Sequence, residues 1–159
     1  CLATTIMYQK NFSREKFKLF HPGGNIGSSL LLAKDIMVTG KDIPTIDYKE
    51  NFNKAIKLMS QKKLGIIVIT KNRFIKGLVT DGDLRRTLDN NSKEKDLKKF
   101  IKKFPFIINE NMPASKALAI MSEKKITSLL VVSDKNYKKP NKLLKGIIHI
   151  HSLLKSGIR

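Results

Sequence analysis

Lys54-Ala55-Ile56-Lys57-Leu58-Met59-Ser60-Gln61-Lys62-Lys63 and Lys116-Ala117-Leu118-Ala119-Ile120-Met121-Ser122-Glu123-Lys124-Lys125 are two copies of one segment, set apart by a constant offset of 62 residues. Phe52, Ala55, Ile56 and Met59 in the first copy, and Ala114, Ala117, Leu118 and Met121 in the second, recur at three- and four-residue steps. That spacing lays one apolar stripe along a helix. Each helix then runs into an apolar strand, Ile66-Ile67-Val68-Ile69 or Leu129-Leu130-Val131-Val132. A turn and a glycine-led strand follow, Gly77-Leu78-Val79-Thr80 and Gly146-Ile147-Ile148-His149. The offset at these last strands is 69, so the second copy holds seven more residues, and the turn-rich, charged stretch Asp134–Asn141 is where a longer hairpin takes them up.

Each repeat therefore reads strand, helix, strand, turn, strand, helix. In the first, Pro44-Thr45-Ile46-Asp47 is a strand, 53–63 a helix, 65–70 and 75–80 a hairpin, and 81–88 a short helix. Between the repeats, apolar residues at 97, 100, 101 and 104 predict an amphipathic connector helix over Asp96–Phe104. A unit of this size has one helix stripe and one small sheet to cover. Packing two copies together buries more apolar surface, at about 25 cal/mol per Å². The expectation is a mixed α/β (α+β) fold of two modules, each a small sheet packed by helices.

Composition narrows the function classes. Apolar residues make up 41% of the chain, and no apolar run reaches membrane-spanning length. No secretory leader pattern is visible. The single cysteine, Cys1, allows no internal disulfide, which fits a reducing, cytoplasmic setting. Cys1 reads as the point where a longer chain was cut rather than as a lipidated start, because Leu2–Tyr8 continues at once as an apolar, helix-like segment. Net charge is +19, from 32 Lys plus Arg against 13 Asp plus Glu. Such a balance raises nucleic acid as a partner. Twenty-seven of the bases are Lys, however, spread along the chain, and only five are Arg. Base and phosphate recognition favours the planar Arg fork, so a solvated Lys-rich surface is the preferred account and nucleic acid is not an expected partner.

The front of the chain is a separate matter. Cys1–Lys10 reads as a helix end, and Ser13 is placed to cap a second short helix with Glu15 in its first turn. His21-Pro22-Gly23-Gly24 stops that helix, and 25–29 reads as a linker. The segment is too short to bury a core alone and is expected to belong to a larger domain.

Gly77-Leu78-Val79-Thr80-Asp81-Gly82-Asp83 carries the chemistry. Thr80 can cap the last helix, with Asp81 and Asp83 favoured near its N-terminus by the dipole. The repeat, the element order and this glycine-led strand resemble the CBS domain, over about 35–154, and imply a tandem pair related by a pseudo-two-fold. In that family the pattern lines a cleft for an adenosine-type nucleotide. The resemblance implies that Thr80 and Asp83 reach a ribose, a carboxylate being able to accept from two vicinal hydroxyls. Phosphate is tolerated at the helix N-terminus, where Arg85 or Arg86 can help. The second copy has His149 at the Thr position and Ser152 at the Asp position, so any nucleotide is expected at the first module. His149 and His151 lack an obvious third ligand, so no metal is expected.

The front extends the resemblance. Phe12–Phe17, His21-Pro22-Gly23-Gly24-Asn25-Ile26-Gly27, Leu30–Leu32, Asp35–Gly40 and Ile43-Pro44 are similar to the junction in arabinose 5-phosphate isomerases. There a sugar-isomerase (SIS) domain passes into two CBS modules. Thr80–Arg86 and His149–Leu154 match that family's module ends, save Ser152, where the family has Asp. The resemblance implies 1–33 as the tail of the SIS domain and linker, 34–90 as the first CBS module, 91–104 as connector and 105–159 as the second. It implies that the parent interconverts ribulose 5-phosphate and arabinose 5-phosphate, feeding Kdo and lipopolysaccharide or capsule synthesis. His21 then stands at the isomerase active site, where an imidazole can relay protons; the alternative is a turn residue before proline. No cofactor is required, and an adenine nucleotide or nucleotide-sugar is the implied regulator. A homodimer or homotetramer through the CBS pairs is implied as well. A free-standing nucleotide sensor is the alternative to a module of an isomerase.

Overall fold

The computed structural model describes residues 30–89, 101 and 105–159. Its elements in chain order are α1 (Ala33–Ile36), β1 (Val38–Thr39), a 3-10 turn (Gly40–Asp42), β2 (Thr45–Asp47), α2 (Phe52–Lys62), β3 (Ile66–Lys71), β4 (Phe74–Thr80) and α3 (Asp81–Asp89). The second repeat supplies β5 (Ile107–Asn109), α4 (Ala114–Lys124), β6 (Ser128–Val132), α5 (Asp134–Tyr137), β7 (Gly146–His149) and α6 (Ile150–Lys155). The fold is mixed α+β, with one small sheet per repeat.

The repeat is structural as well as sequential. In each copy a short strand pairs in parallel with the apolar strand, Thr45 opposite Val68 and Ile107 opposite Leu130, and that strand pairs antiparallel with the glycine-led one. Asn51 caps α2 by accepting from the Lys54 N–H at 2.9 Å. Both long helices end on a lysine at φ 52°, Lys63 and Lys125, in the left-handed region that closes a helix. The expected first-repeat hairpin forms, its tip made by Asn72 and Arg73, both at positive φ, as a two-residue turn requires.

The four-residue apolar runs are buried on both faces, and the alternation along a strand divides them. Ile67 and Ile69 face α2 and pack with Ile46, Phe52, Ala55, Met59 and Val79. Leu129 and Val131 do the same with Ala114, Ala117 and Met121 of α4. The intervening residues Ile66 and Val68 meet Leu130 and Ile147 in a third cluster that joins the two repeats. The pairing of modules is thus a core of its own.

Two features depart from a simple tandem. The extra residues lengthen the connection between the antiparallel strands β6 and β7, as expected, but fold as a helical turn and a crossing rather than as a plain loop. Ser133 accepts from the N–H groups of Asn136 and Tyr137 and opens the helical turn α5. The chain beyond it crosses to the first repeat, where Ile75 N–H donates to Lys142 O at 2.9 Å and Phe74 bridges Leu143. Second, residues 31–39 precede the first repeat in sequence but are built into the second. Val38 and Thr39 pair antiparallel with Ile147 and Gly146. Ala33 N–H donates to Met112 O and Ala114 N–H to Leu31 O, each at 2.8 Å, so the incoming chain supplies the backbone cap that Pro113 cannot give α4. Gly146 is required at this crossing, because a Cβ there would stand 2.8 Å from Val38 O.

Of the connector only Ile101 is described; it lies in no helix and packs against the first-repeat core. The rest of the expected connector helix, and the expected front helices, lie outside the described residues.

Candidate functional site

The repeats enclose a cleft of about 410 Å³. The first contributes Ile66, Leu78 and Thr80, and the second contributes Pro105 and Phe106 ahead of β5, Lys125, Ile126 and Thr127 between α4 and β6, and Ser128 at the start of β6. Its size falls within the range of small-molecule sites, and its walls are mostly apolar with a few polar groups. Thr80 lines it because Ile66 and Thr80 are direct partners across β3 and β4 and share the face turned toward the second repeat. Phe106 is among the few large apolar side chains left exposed, at 43%. Ser128 is buried, and its hydroxyl has no hydrogen-bond partner.

At the end of β4, Thr80 and Asp83 lock together. Thr80 N–H and Oγ1–H both donate to Asp83 Oδ2, at 3.0 and 2.6 Å, and Asp83 N–H donates to Thr80 Oγ1 at 3.2 Å. This is reciprocal capping of α3. The capping role and a ligand-facing role are therefore held by the same pair. Arg86 Nη2 donates to Asp83 Oδ1 at 2.6 Å, whereas Arg85 Nε pairs with Asp81 Oδ2 at 2.8 Å. The structure brings Thr80, Asp83 and Arg86 together and puts Arg85 on a different carboxylate.

The equivalent corner of the second repeat is built differently. His149 Nδ1 accepts from His151 N–H at 3.3 Å and so caps α6 in place of the Thr hydroxyl. Burial, with the neighbouring His151 second, lowers the His149 imidazole from its ordinary value and so favours the neutral form that can accept this bond. Ser152 brings no carboxylate. Its carbonyl accepts from Ser156 Oγ–H at 2.9 Å. Among the described residues no three His, Cys, Asp or Glu side chains form a group able to hold a metal. His21 lies outside the described residues.

Sequence reasoning missed the half of the cleft that the other repeat supplies, Pro105, Phe106 and Lys125–Ser128. The offset of 62 carried the signal, since Ser128 stands where the first repeat has Ile66.

The CBS domain family model matches residues 33–90 and 96–158. An uncharacterized protein of Rickettsia prowazekii is 36% identical over 158 residues, covering 99% of this chain and 47% of its own length. Arabinose 5-phosphate isomerase KdsD of Yersinia pestis is 36% identical over 164 residues, and KdsD of Escherichia coli K12 is 34% identical over 161, each covering 99% of this chain and 47% of the relative. The chain thus spans about half the length of the curated relatives it matches. Among solved structures, the CBS domain pair of protein MJ0100 in complex with 5′-methylthioadenosine and S-adenosyl-L-methionine superposes with a TM-score of 0.68 at 19% identity, over 79% of this chain and 94% of that one. CBSX2 in complex with AMP gives 0.65 at 17% identity, over 79% and 94%. With the family match taking in both repeats and the fold shared with solved pairs, the chain belongs to the CBS domain family.

Proposed function

We propose that this chain is the regulatory CBS pair of an arabinose 5-phosphate isomerase, and that it holds an adenine nucleotide or nucleotide-sugar in the cleft at the first module. Residues 1–33 are then the tail of the sugar-isomerase domain and linker, and the parent supplies arabinose 5-phosphate for Kdo and lipopolysaccharide or capsule synthesis in the cytoplasm. The observation that carries the ligand assignment is the Thr80–Asp83 pair at the end of β4, with Thr80 in the wall of an apolar cleft between the modules. Adenosine ligands in MJ0100 and CBSX2 support it. Thr80 and Asp83 face the ribose, the apolar walls take the base, and the exposed Phe106 ring gives it a surface to stack on. Arg85, in reach of the same helix start, is a candidate for phosphate. No helix is long and apolar enough to cross a membrane among the described residues.

Calorimetric titration of AMP tests the site. Asp83→Ala is expected to weaken binding about tenfold to a hundredfold, the worth of a charged hydrogen-bond acceptor. Ser152→Ala is expected to leave it unchanged. Asp83 also caps α3, so the melting temperature of each variant is read alongside, a lost cap costing about 1 kcal/mol. Unchanged affinity in folded Asp83→Ala removes Asp83 from the site, and a loss in Ser152→Ala moves the site to the second module.

We also propose a homodimer or homotetramer through the CBS pairs, because each module presents helices on the side of its sheet away from its partner module and those outer faces keep apolar side chains such as Leu154, half exposed. Sedimentation at high protein concentration is expected to show at least twice the 18.0 kDa chain mass. A clean monomer overturns the assembly.

A further inference from the structure

We infer that the rim where the extra segment of the second repeat crosses the first-repeat hairpin is a docking surface for an anionic lipid bilayer, one that holds the chain peripherally on the headgroup layer. The inference is independent of the nucleotide reading. It starts from segment 134–145, which the first repeat does without, since β3 and β4 close through a two-residue turn at Asn72 and Arg73. The segment brings Lys135, Lys138, Lys139, Lys142 and Lys145 against the single acid Asp134. Its backbone is pinned. Lys142 Nζ donates to Tyr137 O and, at 2.9 Å, to Lys139 O, which closes the loop. Ile75 N–H donates to Lys142 O, and Phe74 bridges Leu143. The bases of the segment are thereby set beside those of the hairpin, Lys71, Arg73 and Lys76.

Residues directly opposite one another on neighbouring strands share a face. Lys71 is opposite Phe74 in the hairpin and Phe74 is opposite Leu143, so the three form a row across the sheet edge. Lys71 Nζ stands 4.8 Å from the centroid of the Tyr48 ring, which extends the row by one. Leu143 is 36% exposed and Tyr137, in the same segment, 37%, so large apolar side chains stand open beside the bases. Lys71, Arg73, Lys76, Lys135, Lys138 and Lys139 are exposed, and none is paired with a carboxylate among the described residues. Uncompensated bases attract anionic headgroups, and Leu and Tyr side chains enter the boundary between headgroups and acyl chains. No helix among the described residues is long and apolar enough to cross a membrane, so the contact is peripheral. Two features favour lipid over nucleic acid. Five of these six bases are lysines, point charges suited to a fluid headgroup layer, whereas a phosphodiester chain is better gripped by the Arg fork. One face of each tyrosine is also covered by a lysine of this chain, Lys71 over Tyr48 and Lys142 over Tyr137, where a base would stack.

Sedimentation of the whole chain with lipid vesicles tests the surface. Binding is expected to vesicles of phosphatidylcholine with about one third phosphatidylglycerol, not to phosphatidylcholine alone, and is expected to fall steeply with salt. A base near an anionic surface is worth about fivefold in partition, so Lys138→Ala with Lys139→Ala is expected to weaken binding about twentyfold. Lys116→Ala with Lys155→Ala removes the same charge from exposed positions on α4 and α6 and is expected to change binding by less than about threefold. Leu143→Ala is expected to weaken binding severalfold with the salt dependence unchanged. Equal losses in the two lysine pairs overturn the patch and leave net charge as the cause. Binding to neither vesicle overturns the docking surface. Retention on single-stranded RNA that exceeds retention on the anionic vesicles, and is lost with Lys138→Ala and Lys139→Ala, overturns the lipid assignment in favour of nucleic acid. The AMP titration above stands or falls separately.

Discussion

Turnover of arabinose 5-phosphate by these 159 residues is expected to be nil, and the same chain joined to an upstream sugar-isomerase domain is expected to show it. In that longer protein His21→Ala is expected to cut turnover by about 10²–10⁴-fold, the range for losing a general acid or base. An aldose–ketose isomerase must hold C1 and C2 beside a base, bind the phosphate and keep water from the enediol. A coupled assay for ribulose 5-phosphate decides both points. Turnover by the 159 residues alone overturns the assignment as a non-catalytic pair. Full activity of His21→Ala in the joined protein reduces His21 to a turn residue before Pro22.

Phe52→Ala is expected to be the most damaging single truncation in the first module. Phe52 opens α2, is 1% exposed, and packs with Ile46, Ile67, Ile69 and Leu84. Removing a buried ring leaves a void and costs about 3–5 kcal/mol. For a chain of this size that is a fall in melting temperature of roughly 10–15 °C. Thermal unfolding followed by circular dichroism measures it. A fall of only a degree or two would mean that the inter-repeat cluster, rather than each module's own core, carries the stability.

The elements were legible because their signals are local. The stripe from Phe52 to Met59 and its copy from Ala114 to Met121 announce helices, and the runs at 66–69 and 129–132 announce strands buried on both faces. What was not legible depends on which element meets which. Nothing in Val38-Thr39 marks it as a partner of β7 rather than of its own repeat, since two residues carry no periodicity. The extra segment 134–141 was found by counting, but its turn residues suit a helical turn and a crossing as well as a hairpin. At the site, Thr80 and Asp83 were identified by pattern. Their mutual capping and the choice of Arg86 over Arg85 needed side-chain geometry, because both arginines stand on the same turn of α3 and only one returns to Asp83.

The stitching of residues 31–39 to the second repeat sets an order of events as the chain leaves the ribosome. Val38 and Thr39 emerge ahead of the first repeat, yet their partners Ile147 and Gly146 are made only more than a hundred residues later. Until then the first repeat also carries Ile66 and Val68 uncovered, since Leu130 and Ile147 lie in the same late stretch. Synthesis of β7 therefore completes two unions at once, the sheet that receives the front strand and the contact between modules. A nascent chain stalled before residue 146 would hold an apolar face and a lone strand open to chaperones or to another nascent copy.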